Sequence, residues 1–167
     1  MKQIHPVATS AFLGFTLIEL LVALVVLAIL LTIGVPSFAN LIANNRATTA
    51  ANELLGALQY ARSEAVRQNN TVTICSSGNE PECAGSRDWH MGWVVRWQDA
   101  PIRVKQSFNP SVMILGPEVD GDEIRFGSAG QVLRGDGQFT VTVTGGVGAI
   151  RNVCLQVSGR AFVGGCQ

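Results

Sequence analysis

The sequence predicts an α+β chain, with a long N-terminal helix packed on a C-terminal antiparallel β domain. Three observations carry that expectation. An almost uninterrupted apolar run extends from Phe15 to Phe38. Between Asn40 and Asn70 there is no proline and one glycine, and apolar residues recur at helical spacing. Beyond Asn70, β-branched and aromatic residues alternate with polar ones and glycine-rich breaks arrive often.

The apolar run is long enough for a bilayer span, which takes roughly 20 mostly apolar residues. From Leu20 to Leu31 it holds no polar side chain, yet Glu19 stands at its start. An ionised Glu well inside a bilayer costs on the order of 2.5 to 3.5 kcal/mol on insertion scales, so Glu19 needs a partner or a place near the interface. The residues before it, Met1 to Gly14, carry Lys2 and His5 but no apolar stretch of the kind that precedes a secretory cleavage site. The order is inverted: a short leader, a glycine, then the apolar run.

After Phe38 the pattern becomes amphipathic. Leu54, Leu58, Ala61 and Ala65 fall at steps of three and four with Leu55 and Val66 beside them, while Arg46, Glu53, Arg62, Glu64 and Arg67 supply polar positions. One continuous helix from Phe15 to about Gln68 is expected, bent at Gly34 and Pro36, because proline removes a backbone donor and clashes with the preceding turn. Candidate strands follow at Thr71 to Cys75, Trp93 to Gln98, Ile102 to Phe108, Val112 to Leu115, Glu123 to Phe126, Gln138 to Thr144, Asn152 to Val157 and Arg160 to Val163. Breaks at Gly127 to Gly130, Gly135 to Gly137 and Gly145-Gly146 separate several of them. That number of strands implies two small sheets, or one strongly curved sheet, against the helix stripe.

The remaining composition narrows the chemistry. The chain has 12 basic and 12 acidic residues, and without Lys2 its formal charge is −1, not the basic excess of a general nucleic-acid binder. Cys75, Cys83, Cys154 and Cys166 all lie beyond the apolar run, an even count that reads as two disulfides in an oxidising compartment. Three pairings are open. The sequential one, Cys75 with Cys83 and Cys154 with Cys166, is favoured because each closes a short local loop. Zinc is the competing reading, but no Cys-x-x-Cys knuckle is present and His90 is the sole histidine beyond the leader. No cofactor is indicated, and no nucleophile has an evident base or phosphate loop, so the chain reads as a substrate of an enzyme and not as an enzyme.

Two further clusters have plain readings. Glu118 to Glu123 packs four acids around Gly121, but lacks the alternating ligands and distant bidentate Glu of a calcium loop, and reads as a solvated turn. Trp89, Trp93 and Trp97 fall four apart; on a strand Trp93 and Trp97 point the same way, which favours core or subunit packing over a ligand box.

The run Gly14-Phe15-Thr16-Leu17-Ile18-Glu19, with the apolar stretch and Pro36 behind it, resembles the class III signal of type IV pilins and type II secretion pseudopilins. The resemblance implies cleavage after Gly14 by a membrane-bound prepilin peptidase, N-methylation of Phe15, and a pairing of the Glu19 carboxylate with the terminal amine of a neighbouring subunit. Such a pairing selects axial register, since a misplaced subunit leaves a charge unpaired in a low dielectric. Further on, Ala61-Arg62-Ser63-Glu64-Ala65, a strand ending in Cys75, and Cys154-Leu155-Gln156-Val157-Ser158-Gly159-Arg160 are similar to the GspH/FimT branch of that superfamily.

That branch implies a pilin-like lollipop in four parts: a cleaved leader (1–14), a transmembrane or filament-core helix (15–38), its amphipathic continuation (39–70) and a periplasmic β-rich head (71–167). The expected role is a minor type IV pilin, held in the inner membrane and assembled with other major and minor pilins by an inner-membrane assembly platform. The alternatives are a GspH-like minor pseudopilin of type II secretion and a DNA-binding minor pilin. Some FimT-type members bind DNA through a Gly-Arg-x-Arg element. Here the segment reads Gly159-Arg160-Ala161-Phe162, which removes one phosphate contact and leaves Arg160 as a hairpin residue or a pilin contact.

Overall fold

The structure, a computed structural model, describes residues 14–78, 81–144 and 149–166. The leader up to residue 13 and the Gly145-Gly146 break lie outside the described residues. The chain divides into two compact units, Met1–Ser37 and Phe38–Gln167, and helix α1, Leu17–Gln68, contributes to both.

In the first unit the described side chains of α1 are mostly apolar and exposed. Phe15, Leu17, Leu24, Leu30 and Val35 are each more than half exposed, and the segment is long and apolar enough to cross a membrane. Proline 36 lies inside the helix. Without an N–H it leaves the Thr32 carbonyl without its usual donor four residues on.

In the second unit α1 turns one face to a core. Ala43, Ala47, Ala50, Ala51, Leu54, Ala57, Leu58, Ala61 and Ala65 are buried at steps of three and four. The predicted stripe of Leu54, Leu58, Ala61 and Ala65 is therefore present, and it continues toward the N-terminus through alanines. Their small side chains let the helix backbone approach the sheets closely. Leu55 packs partly against the core, whereas Val66 is half exposed. The helix stops at Asn69, whose φ of 48° is left-handed. Asn69 N–H donates to Val66 O at 3.2 Å and Asn70 N–H to Ala65 O at 3.1 Å, the paired closure of a Schellman end.

Two antiparallel sheets complete the unit. The first has the order β3-β2-β1-β5-β6 and the second β4-β7-β8-β9. Their strands are β1 (Val72–Ser76), β2 (Trp93–Trp97), β3 (Ala100–Lys105), β4 (Val112–Leu115), β5 (Glu123–Phe126), β6 (Val132–Arg134), β7 (Gly137–Val143), β8 (Ile150–Leu155) and β9 (Ala161–Val163). Of the two arrangements the sequence allows, two sheets is the one formed.

Three elements depart from the sequence expectation. Strand β8, Ile150–Leu155, lies two residues earlier at each end than the expected Asn152 to Val157. Strand β3 begins at Ala100, before the expected Ile102, and ends at Lys105, before the expected Phe108. A two-residue turn with Gln98 and Asp99 at φ 48° and 62° pairs Trp97 with Ala100 at once. Pro101 is tolerated because β3 is an edge strand. Strand β6 lies between Gly130 and Gly135, three residues too short to show a periodicity, and forms because Phe126 pairs with Val132 and Arg125 with Arg134.

Trp89 joins the sheets. It sits on a single 3-10 turn, Trp89–Met91, fully buried, with its ring edge-on to Phe139 of β7 at 5.2 Å between centroids. Its Nε1–H donates to Gly121 O at 2.7 Å. Trp93 is buried on β2 and Trp97 packs partly against the core. Packing is thus what the tryptophans do, although Trp89 is not on a strand with the other two.

A second tie runs from the helix. Arg62 Nε–H donates to Gly130 O at 2.9 Å and its Nη2 to Ser158 O at 3.4 Å, joining α1 to the β5–β6 and β8–β9 connections. Gly159, at φ +79°, lies so close that a Cβ there would stand 1.8 Å from Gly130 O. Gly159→Ala combines that overlap with a strained φ, and is expected to cost about 2 kcal/mol or more, read as a lower denaturation midpoint in urea.

Glu64 is buried on the same helix and pairs with Arg67 at 2.5 Å. The Arg67 hydrogen bond holds its carboxyl below the ordinary value, against desolvation that pushes it up. A depressed folded-state value contributes stability above the unfolded-state value and loses it as pH falls through the folded one. The Tm difference between the parent and Glu64→Gln should therefore shrink as pH drops below about 4.5, and a difference constant with pH would refute the pairing.

Candidate assembly interface

The site predicted at the N-terminus begins at the first described residues. Gly14, Phe15 and Thr16 precede α1, and Thr16 caps it: Glu19 N–H donates to Thr16 Oγ1 at 3.3 Å and Leu20 N–H to Thr16 O at 3.1 Å. Thr16 thus satisfies one of the orphan donors of the first turn and fixes Glu19 at its third position. The Thr-x-x-Glu spacing signals this cap in the sequence, and Thr16 is a residue the motif reading passed over. Glu19 is exposed, and among the described residues its carboxylate has no ion-pair partner. A negative charge in the first turn is also favoured by the unpaired N–H groups there.

The cysteines form two disulfides, Cys75–Cys83 and Cys154–Cys166, with Cα separations of 5.5 and 5.1 Å and no free thiol. This is the sequential pairing. In each, a buried strand cysteine holds an exposed segment: the one after β1, and the C-terminal residues after β9. The four thiolates that zinc would need are consumed, and among the described residues no cluster of His, Cys, Asp and Glu could hold a metal.

The acidic turn is paired internally. Arg134 reaches Asp120 at 3.1 Å, Asp122 at 3.4 Å and Glu123 at 2.9 Å, and these acids hold its guanidinium above the ordinary range, Asp120 first. Nothing in the sequence spacing pointed to Arg134, because the partner lies on β6, the strand that left no pattern. Arg160 is exposed at the β8–β9 connection, with its guanidinium carbon 5.4 Å from the centre of the Phe162 ring. The aromatic that stands in place of a second arginine serves as a stacking surface for the first.

The profile of a prokaryotic N-terminal methylation motif matches residues 10–35, the stretch that holds Thr16, Glu19 and the start of the apolar helix. The profile of type II transport protein GspH matches residues 50–160, about two thirds of the chain, and the protein belongs to that family. The fold is also that of a solved pilin. Two crystal forms of the type IV minor pilin FimU from Pseudomonas aeruginosa superpose with a TM-score of 0.57 at 24% identity. One match covers 70% of this chain and 91% of that one, the other 72% and 89%. No curated protein matches the chain. The family implies work with other pilins and with assembly machinery in general.

Replacing Cys154 and Cys166 together by serine should lower stability by about 2 kcal/mol, since the bridge closes a short loop, with a lower Tm as the measurement.

Proposed function

We propose that the chain is a minor type IV pilin, a structural subunit that initiates or joins the filament, and not an enzyme. The observation that carries this reading is the pairing of an N-terminal methylation motif with an exposed apolar helix in a chain of the GspH family. The likeness in fold to FimU supports a pilus over other filaments.

The steps follow from the residues. Residues 1–14 form the leader, with Lys2 keeping the N-terminus cytoplasmic and the head, residues 71–167, in the periplasm. Prepilin peptidase cuts after Gly14, and Phe15 becomes the methylated N-terminus. Residues 15–38 wait in the inner membrane, and the helix continues as residues 39–70 into the head. Glu19 then captures the terminal amine of a neighbouring pilin. Thr16 assists by holding Glu19 in the first turn. Gly34 and Pro36 supply the joint that lets the apolar segment adjust its path as it leaves lipid. Transfer into a bundle of like helices costs little hydrophobic energy, because the bundle is as apolar as the tails it replaces; close packing supplies the gain.

A pseudopilin of type II secretion is the second reading, favoured by the description of the family itself. It shares every step and differs only in the filament. Arg160 is assigned to the head surface as a hairpin residue or pilin contact: with one guanidinium, stacked on Phe162, and no basic excess, it offers little to a DNA backbone.

Deleting the gene in its host and counting surface pili alongside secreted type II substrates tests the assignment. Lost pili with normal secretion is the expected result, and intact pili with blocked secretion would move the chain to the pseudopilin class. Glu19→Ala should leave membrane insertion and leader removal intact while cutting piliation by about tenfold or more, an effect of the size expected for one unpaired buried charge. Gly14→Ala should accumulate uncleaved precursor on immunoblots, and efficient processing of that variant would refute the cleavage site.

A further inference from the structure

The outer face of the first sheet carries a polar cavity of about 340 Å³ that the assembly reading does not use. Strand β1 lies at the centre of that sheet. Its Val72 and Ile74 face the helix, so Thr73 faces outward. The register pairs Thr73 with Arg96 of β2 on one side and with Arg125 of β5 on the other. Two guanidinium groups therefore flank one hydroxyl in a single cross-strand row, the closest lateral spacing a sheet offers. Thr71 lines the same cavity, and the disulfide-held Cys83 lines it as well.

The hydrogen-bond capacity of the cavity is unbalanced. Arg96 is fixed by its Nη2, which donates to Asp99 O at 2.6 Å across the β2–β3 turn. Its Nε is buried and has no acceptor among the described residues. A buried donor left unpaired is costly, more so on a charged group. Arg125 is aimed by its Nε contact to Glu123 at 2.6 Å, and the same Glu123 oxygen also takes Arg134. That acceptor is therefore already shared. Each of the two guanidinium groups keeps nitrogens outside these contacts, and the cavity they line offers those donors to an acceptor with two oxygens.

The charges lining it choose among oxyanions. Arg96 and Arg125 are matched by Asp99 and Glu123, so the lining sums to zero. A monoanion gains two guanidinium contacts there, whereas a dianion meets two carboxylates with its second charge. We propose that the Thr73–Arg96–Arg125 row is a binding site for a single carboxylate, of the kind an Asp, a Glu or a chain terminus of another protein presents. The site is independent of which filament the chain joins, because it is measured on the isolated protein.

The test uses the full chain in detergent micelles, labelled with 15N-arginine and titrated with sodium acetate against sodium chloride at equal ionic strength. The Nε–H signals of Arg96 and Arg125 should move together and saturate with acetate alone, while Arg103, which stacks on Tyr60 elsewhere, stays still. Arg96→Gln should weaken acetate binding about tenfold, as expected for loss of a charge-assisted contact. Thr73→Val keeps the β-branched shape of the strand residue, so it guards against misfolding of the arginine variant, and it should weaken binding more modestly. Shifts that never saturate, shifts shared by Arg103, or acetate binding unchanged in both variants would overturn the site. Tighter binding of inorganic phosphate than of acetate would overturn the carboxylate assignment.

Discussion

Everything else in this molecule depends on an apolar helix whose described side chains stand exposed. From Leu17 to Leu31 most of them are half exposed or more. Burying each large one is worth roughly 1.5 to 3 kcal/mol, so leaving the set in water would cost on the order of tens of kcal/mol. Such a surface is suited to lipid or to packing against other helices. Glu19 matters because it is the one charge placed where that exchange of surroundings begins. In the proposed assembly a neighbouring amine would give that acid a partner that lipid does not, which would make the two coverings unequal.

The head draws its helical core from the second part of α1. Its share of α1 is consumed by a face of small residues, Ala43, Ala47, Ala50 and Ala57 among them, on which two sheets close. A face of alanines gives little hydrophobic gain per residue and permits close backbone approach. The large side chains come from the sheets, with Phe126, Phe139, Ile74 and Ile124 filling the space and Trp89 bridging the two. Arg62 and Gly159 then fasten the helix to both connections, and the disulfides pin the segments that strands alone would leave loose. The result is a head fastened to the part of α1 that lies within its own unit, Phe38–Gln167.

Much of this was legible before any coordinates. Long periodic signals survived best: the apolar run, the helix stripe, and strands such as Val112 to Leu115 and Glu123 to Phe126, which match their observed bounds. The cysteine pairing was readable because short loops close most easily. What escaped was short or non-local. Strand β6 is three residues between glycines, and Arg134 on it neutralises acids more than ten positions away. The Arg62 latch depends on where two connections meet, which no window along the chain reveals. Thr16 was missed for a different reason, since its spacing to Glu19 is a cap signal that the stronger motif around it obscured. The Thr73–Arg96–Arg125 row needed the strand register, because its members come from three separate strands.

In the proposed assembly the exposed helix is processed and then covered by other subunits. Mass spectrometry of filaments sheared from the cell surface tests it most directly. This chain should be recovered in the filament fraction with N-methylated Phe15 as its first residue. A chain found only in the membrane fraction, or one that still carries Met1 to Gly14, would contradict it.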